Sequence, residues 1–168
     1  FSGKIVDEGC WALDSTCPGG RTQTMAAGGG EPCRFHTQCD HGTHVAGIAV
    51  GAAPSGPSVD HQGVAPAADL IAYRVFGQNP ETGKPGTWAT DFTAALAAVA
   101  AQTGNHQIVA ANMSLGGGDY TSACDVDYLY TTMMIDVLTL LDVAVVISSG
   151  NDGWTDRIGA PGCITKAV

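Results

Sequence analysis

Two short stretches of this chain carry side chains suited to moving protons and steadying negative charge. The first is Asp40-His41-Gly42-Thr43-His44-Val45-Ala46-Gly47, a polar turn that runs into the apolar residues Val45, Ala46, Ile48 and Ala49. That pattern places His41 at a helix start, where an imidazole that titrates near neutral pH can serve as a general base. His44 falls one turn further along and is read as packing support. The second stretch, Ser149-Gly150-Asn151-Asp152-Gly153, follows the apolar run Val143–Ile147. Its Asn151 amide can donate to a developing oxyanion, although Asn-Asp-Gly is also ordinary turn chemistry. Cys33, His36, Cys39, His41 and His44 lie close enough together to suit a tetrahedral zinc site instead. Their spacing matches no common zinc finger.

The elements that must position these groups alternate. Residues 1–40 are loop-rich, broken by Pro18-Gly19-Gly20 and Gly28-Gly29-Gly30. Helical character begins at His41 and fades by Gly51, and a loop follows over 52–63. Asp69–Phe76 reads as a buried strand, and Phe92, Ala95, Leu96 and Val99 recur at helical spacing before Gly104. Ile108–Met113 reads as a strand, Val126, Leu129, Tyr130, Met133, Val137, Leu140 and Leu141 mark a long amphipathic helix, and Val143–Ile147 reads as a strand apolar on both faces. This alternation predicts an α/β fold with a parallel sheet. In such sheets function gathers at the carboxyl ends of the strands, where Ser114-Leu115-Gly116 and Ser149-Gly150-Asn151 fall.

Composition narrows the partners. A net charge of −9 argues against nucleic acid and anionic membranes as partners, and no apolar run is long enough to span a bilayer. Six cysteines beside only seven lysines and arginines point to an oxidising compartment. The chain opens at Phe1, and Cys163–Val168 reads as a strand cut midway, so an internal piece of a longer chain is expected.

The histidine stretch and the Val145–Gly153 stretch, in this order, resemble the subtilisin-like serine proteases (subtilases). Ser114-Leu115-Gly116-Gly117 and Gly63-Val64-Ala65-Pro66 are similar to further segments of that family. The resemblance implies part of a single peptidase catalytic domain over 1–168, with a three-layer α/β/α core truncated at both ends. It implies a monomer that hydrolyses polypeptides outside the cell, with His41 as general base and Asn151 as oxyanion donor. Ser114, Leu115, Gly116, Ser149 and Gly150 would contact the substrate. Calcium is common in the family, and Asp60 or Asp69 could contribute, but no dense acidic loop marks a site.

The cysteine spacing is similar to that of a disulfide-rich secreted branch, which implies Cys10–Cys17, Cys33–Cys39 and Cys124–Cys163, one of fifteen connectivities open to six cysteines. Ile5-Val6-Asp7-Glu8-Gly9 imitates the family's acid motif, yet Glu8 stands where a small hydroxyl residue belongs. Phe1–Val6 more closely resembles the F-x-G-K-I/V segment that follows the acid. The triad aspartate is therefore expected upstream and the nucleophile beyond Val168, which leaves the chain itself inactive. A zinc module and a non-catalytic, subtilase-like binding domain are the alternatives.

Overall fold

A computed structural model describes residues 1, 3–52 and 62–168, arranged as two compact units, Phe1–Asp91 and Phe92–Val168. The expected loop over 52–63 lies largely outside the described residues, as does Asp60.

In the first unit, β1 (Ile5–Trp11) is the middle strand of three, between β2 (Gln23–Thr24) and β3 (Leu70–Arg74). It pairs antiparallel with β2 through Cys10 and Thr24, and parallel with β3 from Ile5 opposite Leu70 to Cys10 opposite Arg74. Helix α1 (His41–Val50) lies between the parallel strands in sequence. A short antiparallel pair, β4 (Gly77–Gln78) and β5 (Pro85–Gly86), follows. The expectation that residues 1–40 are loop-rich is corrected at Ile5–Trp11, which form a seven-residue strand. Asp7 accepts a hydrogen bond from the Tyr73 hydroxyl at 3.0 Å, and Glu8 accepts from the Gly28 and Gly30 N–H groups at 2.7 and 3.1 Å. Trp11 packs edge-on against Tyr73 with ring centroids 4.9 Å apart. Charged residues thus belong to this strand because each has a partner in place of water. Burial, with Asp7 beside it, pushes the Tyr73 hydroxyl well above the usual tyrosine range.

The second unit takes in most of α2 (Ala89–Gln102), then β6 (Ala110–Met113), β7 (Gly117–Tyr120), α3 (Leu129–Leu140), β8 (Ala144–Ile147) and β9 (Ile158–Ala160). Strands β6 and β8 pair parallel and in register, Ala110 opposite Ala144 through Met113 opposite Ile147, while β7 and β9 pair antiparallel. The α/β class with parallel strands is as expected. Helix α3 buries Thr131, Ile135 and Leu138, one stripe at i, i+4 and i+7, which corrects the expected pattern: Val126, Leu129, Tyr130, Met133, Val137, Leu140 and Leu141 are all exposed. The Thr131 hydroxyl lies 2.7 Å from that of Thr93 on α2.

The exit of α3 follows from backbone geometry. Asp142 takes φ of 57°, the Val143 N–H returns to the Leu138 carbonyl, and the Asp142 N–H returns to Thr139. This pair of bonds caps the helix end and aims the chain straight into β8. Residues 163–168 do not form the strand expected of them. They turn after buried Pro161, and only Val168 joins β8, exchanging bonds with Val145 and Ile147.

All six cysteines pair, as Cys10–Cys17, Cys33–Cys39 and Cys124–Cys163. No described helix is long and apolar enough to cross a membrane.

Two stability predictions follow from the packing. Ile135 and Leu138 are 0% exposed, whereas Tyr130 on the same helix is 76% exposed. Ile135→Ala should cost about 2–5 kcal/mol in urea unfolding, and Tyr130→Ala about 0.5 kcal/mol or less. Equal costs would contradict the assigned inner face. Asp91, 4% exposed in the first turn of α2, has a carboxyl pushed above its ordinary value by burial, partly offset by the Leu13 and Trp88 N–H groups. Its folded pKa is raised, so the unfolded chain ionises first, and stability falls as pH rises from the unfolded value toward the folded one. Asp91→Asn should therefore gain stability over the parent chain as pH rises above the ordinary carboxylate value of about 4. A gap that does not change with pH would remove the buried-charge account.

Candidate active site

His41 is the first residue of α1 and follows directly on a 3₁₀ turn, Thr37–Asp40. The turn is capped by His36, whose Nδ1 accepts the Gln38 N–H at 3.1 Å. His41, Gly42, Thr43 and His44 are all exposed, so His44 does not act as packing support. Among the described residues no side-chain hydrogen bond engages His41. Asp7 is committed elsewhere, to the Tyr73 hydroxyl and the Glu8 N–H, within the sheet.

Cys33 and Cys39 are joined as a disulfide, which removes both thiolates from the five-residue cluster considered for zinc. Among the described residues no group of three or more histidine, cysteine or acidic side chains is placed to hold a metal ion. Asp69 is exposed, and Asp60 lies outside the described residues.

In the second unit the parallel pairing of β6 and β8 brings two expected segments to the same edge. Beyond β6, Ser114 Oγ accepts from Asn112 Nδ2 at 3.0 Å. Beyond β8, the Ser148 N–H donates to the Met113 carbonyl, and Ser148 Oγ donates to the Leu115 carbonyl at 2.9 Å. Ser148 is thereby a brace between the strand exits, with its hydroxyl occupied. Gly150 then takes φ of +106°, a conformation an L side chain rarely adopts. That turn leaves Asn151 exposed, and among the described residues its amide has no hydrogen-bond partner. An unspent amide at a rigid strand end can donate to an incoming oxyanion. Exposed Gly116 adjoins this exit.

One supporting segment escaped the sequence reading. The Gly159 N–H donates to the Ser149 carbonyl at 2.9 Å, and a Cβ at Gly162 would stand 2.8 Å from the Ser148 carbonyl. Gly159-Ala160-Pro161-Gly162 therefore backs the Ser148–Gly150 exit. Its two glycines around a proline were the available signal, which an isolated turn would share.

The Subtilase family model matches residues 30–168. Subtilisin from Bacillus sp. (strain TA39) is 36% identical over 132 residues, covering 76% of this chain and 28% of that protein. An intracellular serine protease from Paenibacillus polymyxa is 30% identical over 172 residues, covering 98% of this chain and 47% of its own length. Among solved structures, the S41 psychrophilic protease superposes with a TM-score of 0.70 at 28% identity, covering 99% of this chain and 46% of that one. The chain thus spans less than half the length of these relatives. A family match over most of the chain, together with full-length structural likeness, shows that the chain belongs to the subtilase family.

Proposed function

We propose that this chain supplies the general base and the oxyanion donor of a secreted serine endopeptidase. The observation that carries the reading is the unengaged Asn151 amide after Gly150 at the β8 exit, in a chain whose family match also takes in His41. In the complete enzyme His41 accepts the proton of a serine hydroxyl as that oxygen attacks the peptide carbonyl. The same imidazole then protonates the leaving amine. Asn151 Nδ2 donates to the carbonyl oxygen as it becomes an oxyanion. Ser114–Gly116 receives the substrate backbone as an added strand, with Ser149 and Gly150 also in contact.

The serine and the triad aspartate are assigned to parts of the protein outside these 168 residues. Three disulfides support an oxidising destination. One relative, the minor extracellular protease Vpr of Bacillus subtilis (strain 168), is 36% identical over 132 residues, covering 77% of this chain and 14% of that protein.

The 168-residue chain alone should neither hydrolyse peptides nor react with a fluorophosphonate probe, because it lacks a nucleophile of its own. Labelling of Ser148 or Ser149 with matching turnover would overturn the assignment.

In the complete protein, His41→Ala should lower kcat by several orders of magnitude. Asn151→Ala should lower kcat by about 10²–10³ with KM nearly unchanged. That magnitude is the one established for subtilisin's oxyanion asparagine, so the experiment tests its transfer to Asn151. Asp7→Ala should leave kcat nearly unaltered, whereas a loss near 10⁴ would make Asp7 the triad acid.

A further inference from the structure

Helix α1 presents His41 at its first residue, yet little in the helix itself fixes that end. Its ten residues include Gly42 and Gly47, both poor helix formers, and a helix this short is marginal on its own. Asp40 at the N-cap makes no side-chain capping bond, and the one buried residue, Val50, lies in the last turn. The far end is well held. There the Gly63, Val64 and Ala65 N–H groups donate to the Gly51, Ile48 and Ala49 carbonyls.

At the His41 end a chain of contacts begins in the sheet. Glu8 on β1 accepts from Gly28 and Gly30, fixing that loop against the strands. Gly30 lies so close to β3 that an added Cβ would stand 2.5 Å from the Ala72 carbonyl oxygen. Three residues later comes buried Cys33, bonded to Cys39 with Cα atoms 5.1 Å apart. Cys39 sits inside the turn that leads into His41, and its N–H donates to the His36 carbonyl.

We propose that the Cys33–Cys39 disulfide is a positioning device for the general base, coupling the first turn of α1 to the Glu8-anchored loop. The proposal rests on the catalytic role proposed for His41. Loop length supports a local role over a global one. A bridge of sequence separation 6 restricts the unfolded chain far less than Cys124–Cys163, of separation 39. Its main effect is on where residues 40–44 stand.

The test uses the complete protein and the double variant Cys33→Ser/Cys39→Ser. Hydrogen exchange, followed on peptides covering 41–47, should accelerate about ten-fold or more, with peptides from β6 and β8 unchanged. Turnover per titrated active site should fall about ten-fold or more with KM within about two-fold, as expected when a base is misplaced. A bridge that served stability alone would lower Tm and leave turnover per titrated site intact, and that result overturns the proposal. Unchanged exchange at 41–47 overturns it as well. If the unmodified protein shows no turnover, the catalytic reading fails with it, while exchange still decides whether the bridge holds the helix end. Glu8→Gln, with the bridge intact, guards against misfolding of the double variant. It should accelerate the same exchange to a smaller degree, and no change there also counts against the anchoring.

Discussion

Parallel pairing of β6 with β8 is the constraint on which the second unit's site depends. Two parallel strands in register must end at the same edge, and here Met113 opposite Ile147 sets that edge. Everything chemical in this unit follows within four residues. Ser148 braces the two exits by donating its hydroxyl to Leu115. Gly150 then supplies the positive φ that turns the chain, and Asn151 emerges with its amide unspent. Upstream, the capped end of α3 at Leu138–Val143 makes the approach to β8 rigid. A donor placed this way needs no rearrangement when charge develops, which is the condition for strong electrostatic stabilisation.

The first unit solves a different problem. Its parallel pair, β1 and β3, does not carry the proposed base at a strand end. His41 comes from the start of the helix between them, and that start is weakly held by its own sequence. Covalent and charge-assisted contacts take over: Glu8 on the loop, the Cys33–Cys39 bridge, and the His36-capped turn. The two proposed site residues thus rest on unlike supports. One is a hydrogen-bonded ladder, the other a stapled loop.

Much of this was legible in the residues. Helix α3 and strand β8 are recognisable from their apolar content, but not the faces they bury: α3 turns Thr131, Ile135 and Leu138 inward and leaves the apolar positions Leu129, Met133, Val137 and Leu140 exposed, and β8 buries Val145 while Ala144 and Val146 stay exposed. The His41 and Asn151 stretches carry a side chain of the right chemistry beside glycines that permit tight backbone. Strand β1 was not legible, because Asp7, Glu8 and Gly9 break any apolar alternation. Its stability comes from partners distant in sequence, Tyr73 and the Gly28–Gly30 loop, and such tertiary support overrides local propensity. Residues 163–168 misled for the opposite reason. Their apolar character serves burial of Cys163 and Ile164, and only Val168 reaches the β8 ladder. The Gly159–Gly162 support was invisible because its role lies in one bond to Ser149 and one close approach to Ser148.

The central claim, that His41 acts as the general base, is tested most directly by the pH dependence of kcat/KM in the complete protein. The account predicts a rise with pH as a single group loses its proton and becomes able to accept one from the serine. The residual activity of His41→Ala should lack that limb. A profile in which His41→Ala keeps the same ionisation would place the base elsewhere and contradict the account.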